Sequence, residues 1–272
     1  GARGVRSAGG GGGATFPSTA LPRLTACECE MLRLLPLPIA ALGAAVWFGQ
    51  HQFALGHFLW LKPSEDNIDA IVRFSDNPDK PGKKYLYGWA EDKVKVWSAD
   101  QESDRTDVAL AVQDLGEGDA QLLGPLQVTG PFVVAMSATY GVWDHGGKWP
   151  PALLTYHGHA YAGVVDEALL AAGRTDLQVV LLAQPRWESE QFVNVTVWAL
   201  FKGEYVEAKV NILDGAGTLL SNQTVAGPTR LRLPSASAEL WAWASFKDQV
   251  PGVYQEKNYT SVAHYATAYT SV

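Results

Sequence analysis

From Ile68 to the end, the chain repeats one pattern: short runs of strand-forming residues, each closed by a cluster of glycine, proline, asparagine, aspartate or serine. Runs this short, rich in Val, Thr and aromatic residues, are read as strands, and a series of them as a sandwich or barrel. Residues 68–74, 93–97, 108–112, 121–128, 131–140 and 152–161 are the predicted strands of a first region. Lys93-Val94-Lys95-Val96-Trp97 alternates polar and apolar, as a half-covered strand does, and 131–140 is the most apolar run and the expected central strand. Residues 177–183, 192–201, 205–213, 218–225, 229–233, 239–246 and 261–270 are seven more, with a turn signal at Asp214-Gly215. Between the two sets, 164–172 is the one predicted helix, with Asp166 and Glu167 at its start and Gly173 just past its end. The fold class expected is all-β, with two β-sandwich-like domains at 57–163 and 175–272, the second immunoglobulin-like in strand number and spacing.

The first 56 residues read differently. Residues 1–30 hold five consecutive glycines, Gly9 to Gly13, and read as low-complexity sequence or a misassigned start. From Met31, a basic Arg33, an apolar run at 34–48 and small residues Ala54 and Gly56 make the three parts of a signal peptide spanning 31–56. Cleavage after Gly56 would leave His57 first, and cleavage after Gly49 or Ala54 is the alternative. If the segment stays uncleaved it would serve as an anchor, although it falls short of the ~20 residues a spanning helix needs. The expected location is therefore extracytoplasmic: periplasmic or secreted.

Both cysteines, Cys27 and Cys29, precede Met31. The remainder must hold together by packing alone, and any metal site in it must use nitrogen or oxygen donors. A formal charge of −7 argues against nucleic acid as a partner. No nucleophile elbow, zincin helix, phosphate loop or dinucleotide fingerprint occurs, and no carboxylates pair as a glycosidase dyad would, so an enzyme is not the expectation.

Histidine is the residue type with chemistry to offer. His157 and His159 flank Gly158 on one predicted strand, so Thr155, His157, His159 and Tyr161 share a face while Tyr156, Gly158 and Ala160 share the other. The two imidazoles either ligate a metal or lie on a solvated outer face. His264 has small same-face neighbours, Ala266 and Ala268, which leave room beside it for a ligand; a half-buried histidine with ordinary partners is the alternative. As a new terminus, His57 would offer its amine and Nδ1 to one ion. His145 lies in a polar glycine-rich loop and reads as an exposed connection. Trp241 and Trp243 share a strand face and read as core. Three glycosylation sequons begin at Asn194, Asn222 and Asn258, with Asn194 in mid-strand.

Three stretches together resemble the DUF4198 family: 57–63; Tyr140-Gly141-Val142-Trp143 with 146–148 and 153–157; and Pro251-Gly252, Lys257, Tyr259 and 262–267. The resemblance implies an extracytoplasmic, β-rich protein ending in an immunoglobulin-like module and loosely associated with nickel or cobalt uptake. It carries the N-terminal histidine of the family onto His57 as the expected metal ligand, and it matches His264 within the C-terminal motif.

These readings converge on a metal-binding protein taking Ni, Co or Cu through His57, with His157, His159 or His264 completing the site. The expected partners are the metal ion and a membrane metal transporter. A non-catalytic structural or adhesion module is the alternative, and a histidine-brace copper enzyme the third reading.

Overall fold

The computed structural model describes residues 57–84, 93–101, 105–184, 191–234 and 238–272. The segments read as low-complexity sequence and signal peptide lie outside the described residues. The fold is all-β with one short helix. In the first region the strands are β1 (Phe58–Pro63), β2 (Asp69–Ser75), β3 (Gly82–Lys83), β4 (Val94–Asp100), β5 (Thr106–Val108), β6 (Ala111–Gly116), β7 (Asp119–Pro125), β8 (Phe132–Trp143) and β9 (Ala152–Ala162). Helix α1 (Glu167–Ala172) follows. After it come β10 (Leu177–Ala183), β11 (Phe192–Phe201), β12 (Glu204–Tyr205), β13 (Ala208–Asp214), β14 (Leu219–Val225), β15 (Thr229–Pro234), β16 (Glu239–Asp248), β17 (Gly252–Tyr254), β18 (Lys257–Tyr259) and β19 (Ser261–Ser271).

The strands of both regions meet in one eight-stranded sheet, ordered β14-β13-β16-β19-β9-β8-β4-β5. The join is β19 against β9, the parallel pair in this sheet, in register from Ser261 opposite Ala152 to Thr270 opposite Tyr161. Segments 57–163 and 175–272 thus share a sheet within one compact unit. Alternation then decides which layer each residue enters. On β16, Trp241 and Trp243 face the sheet built from β1, β2 and β7, while Leu240, Ala242 and Ala244 face the sheet built from β10, β11 and β15. The central sheet is therefore covered on both faces, which is why its inner strands read as nearly continuous apolar runs.

The pattern does not mark Phe58–Pro63 as a strand, because nearly every residue of β1 is buried and no alternation shows. It pairs with β2 and crosses the central sheet over β9 and β19. Thr267 Oγ1 donates to the Leu59 carbonyl at 2.8 Å and tacks the two layers together. Helix α1 starts three residues later than the predicted 164, because Asp166 is its cap and accepts from the Leu169 backbone N–H at 2.9 Å, while its end at Ala172, closed by Gly173, is as predicted. It is more than a connector, since Leu169 packs with Val133 and Tyr161 of the central sheet and with Val180 and Trp198 of the sheet built from β10 and β11. Among the described residues no helix is long and apolar enough to cross a membrane.

Candidate functional site

Strand β9 lies at the middle of the molecule, and its two faces have different chemistry. Tyr156, Gly158 and Ala160 turn toward β1. A Cβ on Gly158 would lie 2.4 Å from Met136 Cε and 3.2 Å from Leu61 Cβ. The glycine of the His-Gly-His motif is thus required by the close approach of β1 and β8 behind it, and not by flexibility between the histidines.

Thr155, His157, His159 and Tyr161 turn the other way, toward β10 and α1. They are not on a solvated face: His157 is 3 % exposed and His159 fully buried. The parallel pairing of β9 and β19 sets His264 opposite Thr155 and Ala266 opposite His157, so the two histidines are diagonal neighbours with small Ala266 beside them. His157 Nε2 lies 3.4 Å from His264 Nδ1, and the rings stack at 5.7 Å with 23° between planes. The Thr155 hydroxyl also reaches His264 Nδ1, at 2.8 Å. His157 Nδ1 is buried without a hydrogen-bond partner among the described residues.

His159 is not part of this pair. Its Nε2 lies 3.1 Å from Thr175 Oγ1, and that hydroxyl donates to the Leu177 carbonyl at 2.7 Å, so the imidazole must be the donor to Thr175. Tyr161 stacks on it with 9° between the rings. It is a core histidine held by a threonine and an aromatic ring.

Burial dominates the electrostatics. It lowers the pKa of His157 far below the imidazole range, and the neighbouring His264 and His159 lower it further. Burial takes His159 down to about 3, with the Thr267 and Gly173 carbonyls partly opposing. Burial also lowers His264, opposed by Asp176 and Asp248 and reinforced by Lys202. All three imidazoles are neutral at pH 7, the form in which nitrogen binds a metal.

His57 stands apart. Its ring meets the edge of Phe74 at 5.7 Å, and Phe74 in turn meets Tyr156. Tyr156 is on the β1 side of β9, so His57 lies in the layer opposite that of His157, His159 and His264. The expected site, His57 completed by His157, His159 or His264, is divided by the central sheet. Among the described residues no group of three or more His, Cys, Asp or Glu is placed to hold a metal. His145 falls in a 3₁₀ turn, His145–Gly147, capped by Asp144, which accepts from the Gly146 N–H at 3.0 Å. Asn194, Asn222 and Asn258 are all exposed.

Thr155 shares a face with His157 in the sequence pattern, but nothing in that pattern pairs it with His264, and Thr175 has no sequence signal at all. Thr155 becomes an imidazole partner through the pairing of β9 with β19, and Thr175 through the loop that leads from α1 into β10. No protein-family model matches this chain, and no curated protein matches its sequence.

Proposed function

We propose that this protein is a non-catalytic, extracytoplasmic metal-binding protein that takes Ni(II), Co(II) or Cu(II) through His157 and His264. One observation carries the reading: two neutral ring nitrogens, His157 Nε2 and His264 Nδ1, lie 3.4 Å apart. Two imidazoles bonded to one tetrahedral ion at about 2.0 Å have nitrogens about 3.3 Å apart. Thr155 Oγ1 is a further donor atom beside them. Bound there, a metal would be held as cargo. The resemblance of 57–63 and 262–267 to an uptake-associated family supports the same reading, as does the signal-like segment before His57 for the location. The histidine-brace reading has no such support, because a brace needs His57 and a second histidine on one ion, and the other three face the opposite layer.

The structural-module reading is favoured by a different observation: His264 Nδ1 already has Thr155 Oγ1 as a partner. Calorimetric titration of the full chain with each metal distinguishes the two. Tight one-to-one binding that His264→Gln weakens at least about a hundredfold, with His57→Ala near parent affinity, supports the pair. Absence of binding in the folded parent leaves the structural module.

A further inference from the structure

A cleft of ≈ 390 Å³ opens at the surface near the histidine layer, and its wall gathers Lys95, Arg105, Arg174 and Lys202 against a single carboxylate, Asp176. Its chain carries a formal charge of −7, so a collection of four cations runs against the character of the whole surface. They come from four places: β4, the residue ahead of β5, the loop after α1 and the turn between β11 and β12. Like charges brought together from such distant segments raise the folded state's energy unless something negative sits among them.

Two of the cations are held in place. The Arg105 guanidinium lies 3.9 Å above the Trp97 ring. Trp97 is itself fixed, buried and donating from Nε1 to the Ala172 carbonyl at 3.0 Å. Arg174 rests on the turn after β11, where Gly203 has φ of +90° and a Cβ would come within 3.1 Å of Arg174 Cζ. Stacked or packed guanidinia lose little freedom on gripping an anion, and their fork suits phosphate and carboxylate oxygens.

Among the described residues, the carboxylates nearby leave part of this charge uncompensated. Arg105 pairs with Asp107 at 3.6 Å and Lys202 with Asp248 at 3.5 Å. Lys95 and Arg174 have no ion pair among the described residues. Ser137 and Thr175 complete the wall as neutral residues, with the Thr175 hydroxyl already engaged by His159 and the Leu177 carbonyl. The volume falls in the range of small-molecule sites, and the cleft is open to solvent.

We propose that this cleft binds a small polyanion, a molecule bearing two or more phosphate or carboxylate groups. Arg105 and Arg174 supply the oriented contacts, and Lys95 and Lys202 supply field. The cleft contains neither histidine of the proposed metal pair, although Asp176 and Lys202 of its wall act electrostatically on His264, and the proposal stands without any metal.

The test is calorimetry on the full chain at low salt and pH 7.5, with pyrophosphate and citrate as probes. Binding of either supports the site, and which of them binds tighter tells phosphate from carboxylate recognition. Arg174→Ala and Lys95→Ala, both at exposed positions, should each weaken binding about five- to tenfold, the loss expected for one charge-assisted contact at a surface. Lys209→Ala, on β13 outside the cleft, should leave it unchanged. Thermal unfolding of each variant checks the fold. The proposal is overturned if neither anion binds the folded parent, or if Lys209→Ala weakens binding as much as Arg174→Ala does.

Discussion

The two faces of the central sheet are built from the same strands and do opposite things. Toward β1, residues of β9, β16 and β19 form a dry aromatic layer: Trp60 meets Trp241 at 5.5 Å, Phe58 meets Trp243 at 4.8 Å, and Tyr156 stacks on Tyr265 at 5.4 Å. Toward β10, the next residues along β9 and β19 are Thr155, His157, His159 and His264. Aromatic burial stabilises by area and needs few partners. Buried imidazoles stabilise only as far as they find partners, and His157 Nδ1 and His159 Nδ1 find none among the described residues. Each face carries its own unpartnered atoms among the described residues, Trp241 Nε1 on the aromatic side and two imidazole nitrogens on the other, but only the aromatic side offsets them with a broad area of buried ring.

The largest expected effect breaks the first face. Trp60→Ala removes a ring 1 % exposed and its Nε1 bond to the Ser75 carbonyl. It should cost about 3–5 kcal/mol in chemical denaturation. A loss under about 1 kcal/mol would mean that the aromatic layer is not what holds the sheets together.

Acid should then act on the second face. The folded pKa of His159 is depressed to about 3 from an ordinary 6.5. Its neutral form therefore stabilises fully above about 6.5, and that contribution is lost progressively as pH falls from about 6.5 toward about 3. By pH 5 the loss from His159 alone is about 2 kcal/mol, and His157, lowered in the same direction, adds to it. Denaturant midpoints between pH 7.5 and 5 measure this. His159→Leu should flatten the dependence, whereas Trp60→Ala should shift stability equally at both pH values. Equal midpoints for the parent at pH 7.5 and 5 would remove the distinction between the faces.

Thr175→Val sharpens the comparison further. It leaves the His159 Nε2–H and the Leu177 carbonyl without the hydroxyl that joins them. A cost of about 1–3 kcal/mol is expected in thermal unfolding. The smallest effect lies at the rim of the aromatic face, where Lys62 pairs with Glu239 at 2.8 Å with both side chains partly exposed. Lys62→Met should change stability by less than about 1 kcal/mol, and added salt should mimic it in the parent.

Much of this was legible in the chain. Strands β10 and β11 have the bounds that 177–183 and 192–201 predict, and β9, β16 and β19 end within two residues of expectation. The caps of α1 are the residues that capping chemistry prefers. The division of β9 into a face with Thr155, His157, His159 and Tyr161 and a face with Tyr156, Gly158 and Ala160 is also as the alternation requires. These are local properties: a strand's two faces and a helix's first turn depend on residues a few positions apart.

What lay beyond the sequence is pairing and depth. Nothing local says that β19 joins β9 in parallel, yet that choice sets His264 beside His157 and merges two predicted domains in one sheet. Alternation likewise names two faces without naming their covers, so a solvated histidine face and a buried one look alike until β10 and α1 pack over it. β1 escaped the pattern because a strand buried on both sides has no polar face to alternate with, and its position across the sheet put His57 in the other layer. The amino-acid order by itself determined an all-β chain, the reach of its strands and which residues share a face. Only the tertiary structure decided which faces meet, because that balance is struck between residues about a hundred positions apart, as with His157 and His264.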